Sequence, residues 1–88
     1  DDSYNASPAA TLEALQTLAQ FEGRRRIAVL GDMLELGQFT EQAHRQVGEK
    51  AGRSADFFFA VGDRMKFAAE AAKRKGMKKQ KILNLLKN

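Results

Sequence analysis

Two short apolar runs, each closed by Gly-Asp, constrain this chain more than any other feature. The first is IAVLGD at 27–32 and the second is FFFAVGD at 57–63. A continuous apolar run of four or five residues, bounded by turn residues, reads as a strand buried on both faces, as in parallel sheets. Between the runs lies EQAHRQVGEKAGR, where Ala43, His44, Val47 and Ala51 share one side of a helix that Thr40 would cap. Strand, helix and strand in that order form the crossover unit of a parallel sheet. The expected fold is therefore α/β, a Rossmann-like, doubly wound parallel sheet flanked by helices.

The flanking segments extend the alternation. Ser7-Pro8 opens a first helix, because serine is a preferred cap and proline at the first helical position forfeits no hydrogen bond. Leu12, Leu15, Leu18 and Ala19 recur at helical spacing, with Phe21 near the end and Gly23 as the stop, giving a helix over roughly 8 to 22. A third helix, RMKFAAEAAKRK, would be capped by Asp63 and stopped by Gly76. KILNLL reads as a further helix, since Asn84 interrupts a strand pattern. Gly48 weakens the second helix by about 1 kcal/mol relative to alanine, so something should pack closely against it. Two buried strands make a poor sheet with open edges, and the expectation is that residues 1–88 are one partial domain of a larger protein.

Composition narrows the function classes. The 88 residues are 43% hydrophobic, which is too high for a disordered chain, and no cysteine is present to form disulfides or thiolate metal sites. No apolar run approaches the roughly 20 residues of a membrane span, and the opening residues lack a signal peptide's pattern. A soluble, cytoplasmic chain without a membrane partner is expected. Net charge is +4, and six of the nine residues in KRKGMKKQK (73–81) are basic, with Arg24–Arg26 as a second cluster. These clusters suit a solvated helix end better than nucleic acid, because no aromatic residue interleaves them and no recognition motif accompanies them. A small nucleotide- or nucleic-acid-binding module stays open as the rival reading.

Chemistry in open α/β sheets gathers at the carboxyl ends of the strands. Asp32 and Asp63 both stand there, each able to bind a ligand or to cap the following helix. Capping is favoured for Asp63, whose helix follows at once; for Asp32 the two readings stay balanced. The loop DDSYNASP would reach the same edge if a strand precedes it, with the first helix's N–H groups beside it. His44, the one histidine, is either a packed structural residue or a ligand contact. A transition-metal site or a serine triad finds no partners for it, and catalysis by this chain alone is not expected.

In order, DDSYNASP, IAVLGDMLELG, EQAHRQVG and FFFAVG resemble the C-terminal domain of the Mur ligases. Within that family they are most similar to the branch that adds D-Ala-D-Ala to UDP-N-acetylmuramoyl-tripeptide in peptidoglycan synthesis. The resemblance covers residues 1 to about 62 and thins past Lys66. It implies an ATP-dependent amide-forming ligase when whole, with ATP and Mg²⁺ held mainly by a central ATPase domain of the same chain. This segment carries no GxxxxGK[ST] phosphate loop, so alone it would be inactive. The resemblance places Asp2, Tyr4, Asn5 and Ser7 on the nucleotide side, with Asp2 at the ribose. It places Asp32, Met33 and Leu34 in the loop facing the incoming amine. The strand expected before the loop, and a later Lys-Gly-Ser-Arg-type segment with its strands, lie outside these 88 residues.

Overall fold

A computed structural model describes residues 6–23 and 25–86. Its elements are α1 (Pro8–Leu18), β1 (Ile27–Gly31), α2 (Thr40–Ser54), β2 (Phe57–Val61), α3 (Met65–Arg74) and β3 (Ile82–Leu85), with single 3₁₀ turns at Gly37–Phe39 and Lys79–Lys81. The strands form a parallel sheet in the order β1-β2-β3. Ile27 pairs with Phe57 and Gly31 with Val61, while Phe58 pairs with Ile82 and Val61 with Leu85.

The expected α/β class and parallel sheet are present, and two features of the sheet differ. KILNLL is the strand β3, with a 3₁₀ turn before it, rather than a helix. Asn84 does not interrupt it, because its amide donates to the Ala60 carbonyl at 2.8 Å on the neighbouring strand. Parallel pairing with β2 outweighs a helical spacing that spans barely one turn.

The second difference is that, among the described residues, the sheet is covered on one face rather than two. Ala28, Phe58 and Ala60 point into a core shared with Leu15 of α1, Val47 and Ala51 of α2, and Met65, Ala68 and Ala72 of α3. On the opposite face Ile27, Val29, Leu83 and Leu85 are exposed, Val29 to 64%. Strand order supplies the reason. Successive crossovers of one hand that always step in the same direction put every connecting helix on the same side. Covering both faces requires a reversal of strand order, and β1-β2-β3 contains none.

Gly48 behaves as expected. A Cβ there would overlap the Ala68 backbone, so α2 and α3 meet most closely at this point. Arg45 closes the same interface at the surface. Its Nε donates to Glu41 at 2.8 Å and its Nη2 to Glu70 at 3.0 Å, and these two carboxylates raise its already high pKa. The first helix ends at Leu18, earlier than the sequence suggests, and Phe21 is exposed instead of joining its apolar stripe. Arg26 reaches back to donate to the Ala19 carbonyl at 3.3 Å, helping to close that helix end.

At the start of the strands Asp56 accepts from the Arg26 backbone N–H at 2.8 Å, from Nε at 3.2 Å and from Nη2 at 3.3 Å. The hydrogen bonds from the Arg26 side chain and backbone hold the Asp56 carboxyl below its ordinary pKa, with the charges of Arg26 and Lys81 adding to them; partial burial works against them. The pair thus pins the first residues of β1 and β2 to one another.

Candidate functional site

The register that brings Gly31 beside Val61 also brings the residue after β1 beside the start of α3. Asp32 uses that proximity. Its Oδ1 accepts from the Met65 N–H at 3.1 Å, and its Oδ2 accepts from Arg64 Nη1 at 3.2 Å. Asp32, not Asp63, therefore caps the third helix. Asp63 is exposed, the helix begins two residues beyond it, and its backbone carbonyl rather than its side chain takes up the Lys66 N–H. A helix of ten residues exposes its first N–H groups to whatever carboxylate lies nearest, and here that carboxylate comes from another strand.

Gly62 completes the junction. Its φ is +120°, and an added Cβ would overlap the Asp32 carboxylate. Glycine serves twice here, once for the backbone turn and once for the close approach of Asp32. Its N–H donates to the Leu85 carbonyl at 2.6 Å, which ties the end of β2 to β3.

The loop after β1 is fixed from its other side by α2. The Met33 N–H donates to Nε2 of His44 at 3.0 Å, so Nε2 carries no proton and Nδ1–H donates to the Thr40 carbonyl at 2.6 Å. His44 is fully buried and structural, holding the loop through its backbone. Thr40 is the first residue of α2 rather than its cap, and its hydroxyl donates to the Gly37 carbonyl at 2.7 Å. Met33 buries its side chain in the core beside Thr11. Glu35 adopts φ +63°, a left-handed conformation that costs a non-glycine residue on the order of 1 kcal/mol. That turn leaves Leu34 exposed while Leu36 packs against the core.

These residues enclose an open cleft of about 440 Å³, lined by Gly31, Asp32, Leu34, Val61, Gly62 and Arg64. Asp32 and Leu34 thus share a site, whereas Met33 stands behind it. Arg64 is the charged lining residue that the sequence does not single out, since there it reads as the first residue of a helix. A cation directly after Gly-Asp is as common at a charged helix start as in a site, so Arg64 stands out only once the cleft is built. Ser7 lies at the start of α1, where its Oγ accepts from the Ala10 N–H at 3.1 Å. Asp2, Tyr4 and Asn5 fall outside the described residues. Among the described residues no group of three or more His, Asp or Glu side chains is placed to hold a metal ion. No helix among them is long and apolar enough to cross a membrane.

Comparison with known proteins agrees with this fold. Residues 2–86 match the family described as "Mur ligase, glutamate ligase domain". The UDP-N-acetylmuramoyl-tripeptide--D-alanyl-D-alanine ligase of Bacillus subtilis (strain 168) is 39% identical over 74 residues, covering 82% of this chain and 16% of the relative. The enzyme of the same name from Escherichia coli (strain K12) is 51% identical over 51 residues, covering 58% of this chain and 11% of the relative. A crystal structure of MurF from Acinetobacter baumannii superimposes with a TM-score of 0.74 at 33% identity, covering 98% of this chain and 17% of that one. The chain therefore spans less than a fifth of each of these three proteins.

Proposed function

Because the chain belongs to the Mur ligase family, as part of its glutamate ligase domain, we propose that it is part of the C-terminal domain of a ligase joining D-Ala-D-Ala to UDP-N-acetylmuramoyl-tripeptide. The observation that carries this reading is the match over residues 2–86, supported by a structural likeness at 33% identity that spans nearly the whole chain. In the proposed reaction the tripeptide's terminal carboxylate attacks the γ-phosphorus of ATP, forming an acyl phosphate and releasing ADP. The amine of the dipeptide then attacks the acyl carbon, loses a proton and expels inorganic phosphate, leaving an amide. Chemistry of this kind depends on positioning and charge stabilisation more than on covalent work by the protein.

Among the described residues no cluster of carboxylates or His is placed to hold Mg²⁺. Their part is to bind and orient. Asp2, Tyr4, Asn5 and Ser7 would form the nucleotide side of the cleft between this domain and a central ATPase domain, with Asp2 at the ribose. Asp32 and Leu34 would face the acceptor amine's side, with Met33 anchoring their loop in the core. A cytoplasmic setting follows from the substrates named. The nucleic-acid reading rests on the basic clusters alone and is not favoured beside the family match over residues 2–86.

The test is phosphate release by the full-length polypeptide that contains this chain. It should require ATP, the UDP-linked tripeptide and D-Ala-D-Ala together. Asp2→Ala should raise the KM for ATP with little change in the KM for the dipeptide. Turnover indifferent to the dipeptide would remove the assignment.

A further inference from the structure

A second charged group, Arg64, lines the strand-end cleft beside Asp32. Arg64 is half exposed, its side chain at 48%, while its partner Asp32 is held at 18%. One guanidinium nitrogen, Nη1, is spent on Asp32; among the described residues Nε and Nη2 make no hydrogen bond. A guanidinium anchored at one corner and open along another edge is arranged to receive a planar anion in a forked pair. The apolar walls beside it are Leu34 and Val61.

We propose that Arg64 binds the carboxylate of the acceptor dipeptide and that Asp32 is the positioning residue that aims it. The inference rests on the ligase reading above and names a residue within it. Three observations support it. The cleft's volume lies in the range of small-molecule sites, and Leu34 and Val61 offer an alanine methyl an apolar wall. The start of α3 offers no rival anion site, because the Met65, Lys66 and Phe67 N–H groups donate to Asp32, Asp63 and Arg64 oxygens. Asp32 is already engaged with the protein, one hydrogen bond going to each of its oxygens, which leaves Arg64 as the cleft's exposed charge.

The geometry also fixes a direction. An extended dipeptide spans roughly 7 Å, so a carboxylate on Arg64 sets the reacting amine about that far from the guanidinium. Arg64 selects the acceptor by its far end. An acceptor lacking the free carboxylate would leave the Asp32–Arg64 pair without its anion and bind poorly.

The experiment is steady-state kinetics of the full-length ligase with D-Ala-D-Ala and with its C-terminal carboxamide. Arg64→Ala should raise the KM for the dipeptide about 10- to 100-fold, as expected for a hydrogen-bonded charge pair, while the KM for ATP and kcat move less than about twofold. Arg64→Lys, which keeps the charge and loses the fork, should fall between the two. The carboxamide should bind the wild-type enzyme poorly and lose little more with Arg64→Ala. If Arg64→Ala raises the KM equally for acid and amide, or leaves it unchanged in an active enzyme, the carboxylate role is overturned. If the wild-type enzyme shows no dipeptide-dependent turnover, the ligase reading fails, and this inference goes with it.

Discussion

At the carboxyl end of β1, Asp32 is drawn inward to cap α3 and hold Arg64, while Gly31 beside it is unexceptional. At the end of β2, Asp63 is exposed, and Gly62 is the constrained residue. The two strands finish in the same dipeptide, yet the weight falls on the acid in one and on the glycine in the other. The difference comes from what lies across the sheet. Parallel pairing puts the Asp32 carboxylate directly over Gly62, so each residue makes the other's role possible. A local motif acquires its function from its neighbour.

Alanine scanning of the two glycines should break this comparison most visibly. Gly62→Ala combines a φ of +120° with a Cβ driven into the Asp32 carboxylate, and should destabilise the chain by about 3 kcal/mol. At Gly31 the nearest atom to an added Cβ is the Val61 carbonyl oxygen at 3.6 Å, an ordinary contact. Gly31→Ala should therefore shift stability by no more than about 0.5 kcal/mol. Urea unfolding of both variants measures the contrast, and equal losses would mean that the junction is not where the strain sits.

The aspartates should show a smaller contrast in the opposite sense. Asp32→Ala removes a helix cap and leaves Arg64 without its partner, for an expected loss of about 1–2 kcal/mol. Asp63→Ala removes an exposed carboxylate and should cost less than about 0.5 kcal/mol. Reversed magnitudes in the same unfolding assay would restore Asp63 as the cap that the sequence suggests.

That reversal also shows where the sequence stops being legible. Periodicity places β1, α2, β2 and most of α3, because each strand's apolar run and each helix's apolar stripe is a local property. Gly48 is legible for a similar reason, since a glycine inside a helix needs a local cause. The Asp32–Met65 cap joins residues 33 apart in sequence, and no spacing rule reaches that far. The strand β3 is illegible for another reason. Its four residues form an edge whose strand character comes from β2 rather than from its own pattern. Of the candidate site, Asp32 is visible from the strand-end rule and Leu34 from the family resemblance alone, while Arg64 is visible only once the cleft is built.

The mildest probe moves to the other end of the same strands, where Arg26 and Asp56 join β1 to β2. The hydrogen bonds from Arg26 lower the Asp56 pKa in the folded chain, so the unfolded chain binds a proton there more readily. The stability from this group is complete above the unfolded carboxylate's pKa of about 4 and is lost as pH falls through the lowered folded value. The pair is partly exposed, with the Asp56 side chain at 38%, so solvent screening keeps the effect modest. Asp56→Asn should therefore trail the wild type by a constant margin above about pH 5 and close on it as the pH drops below about 4. Unfolding midpoints between pH 3 and pH 7 would show the convergence, on an assay scale of about one pH unit. A margin that does not change with pH would mean that Asp56 holds the strand starts by shape and not by charge. The two ends of the sheet would then differ in kind: a charge-anchored site at the carboxyl edge, and a neutral clasp where the strands begin.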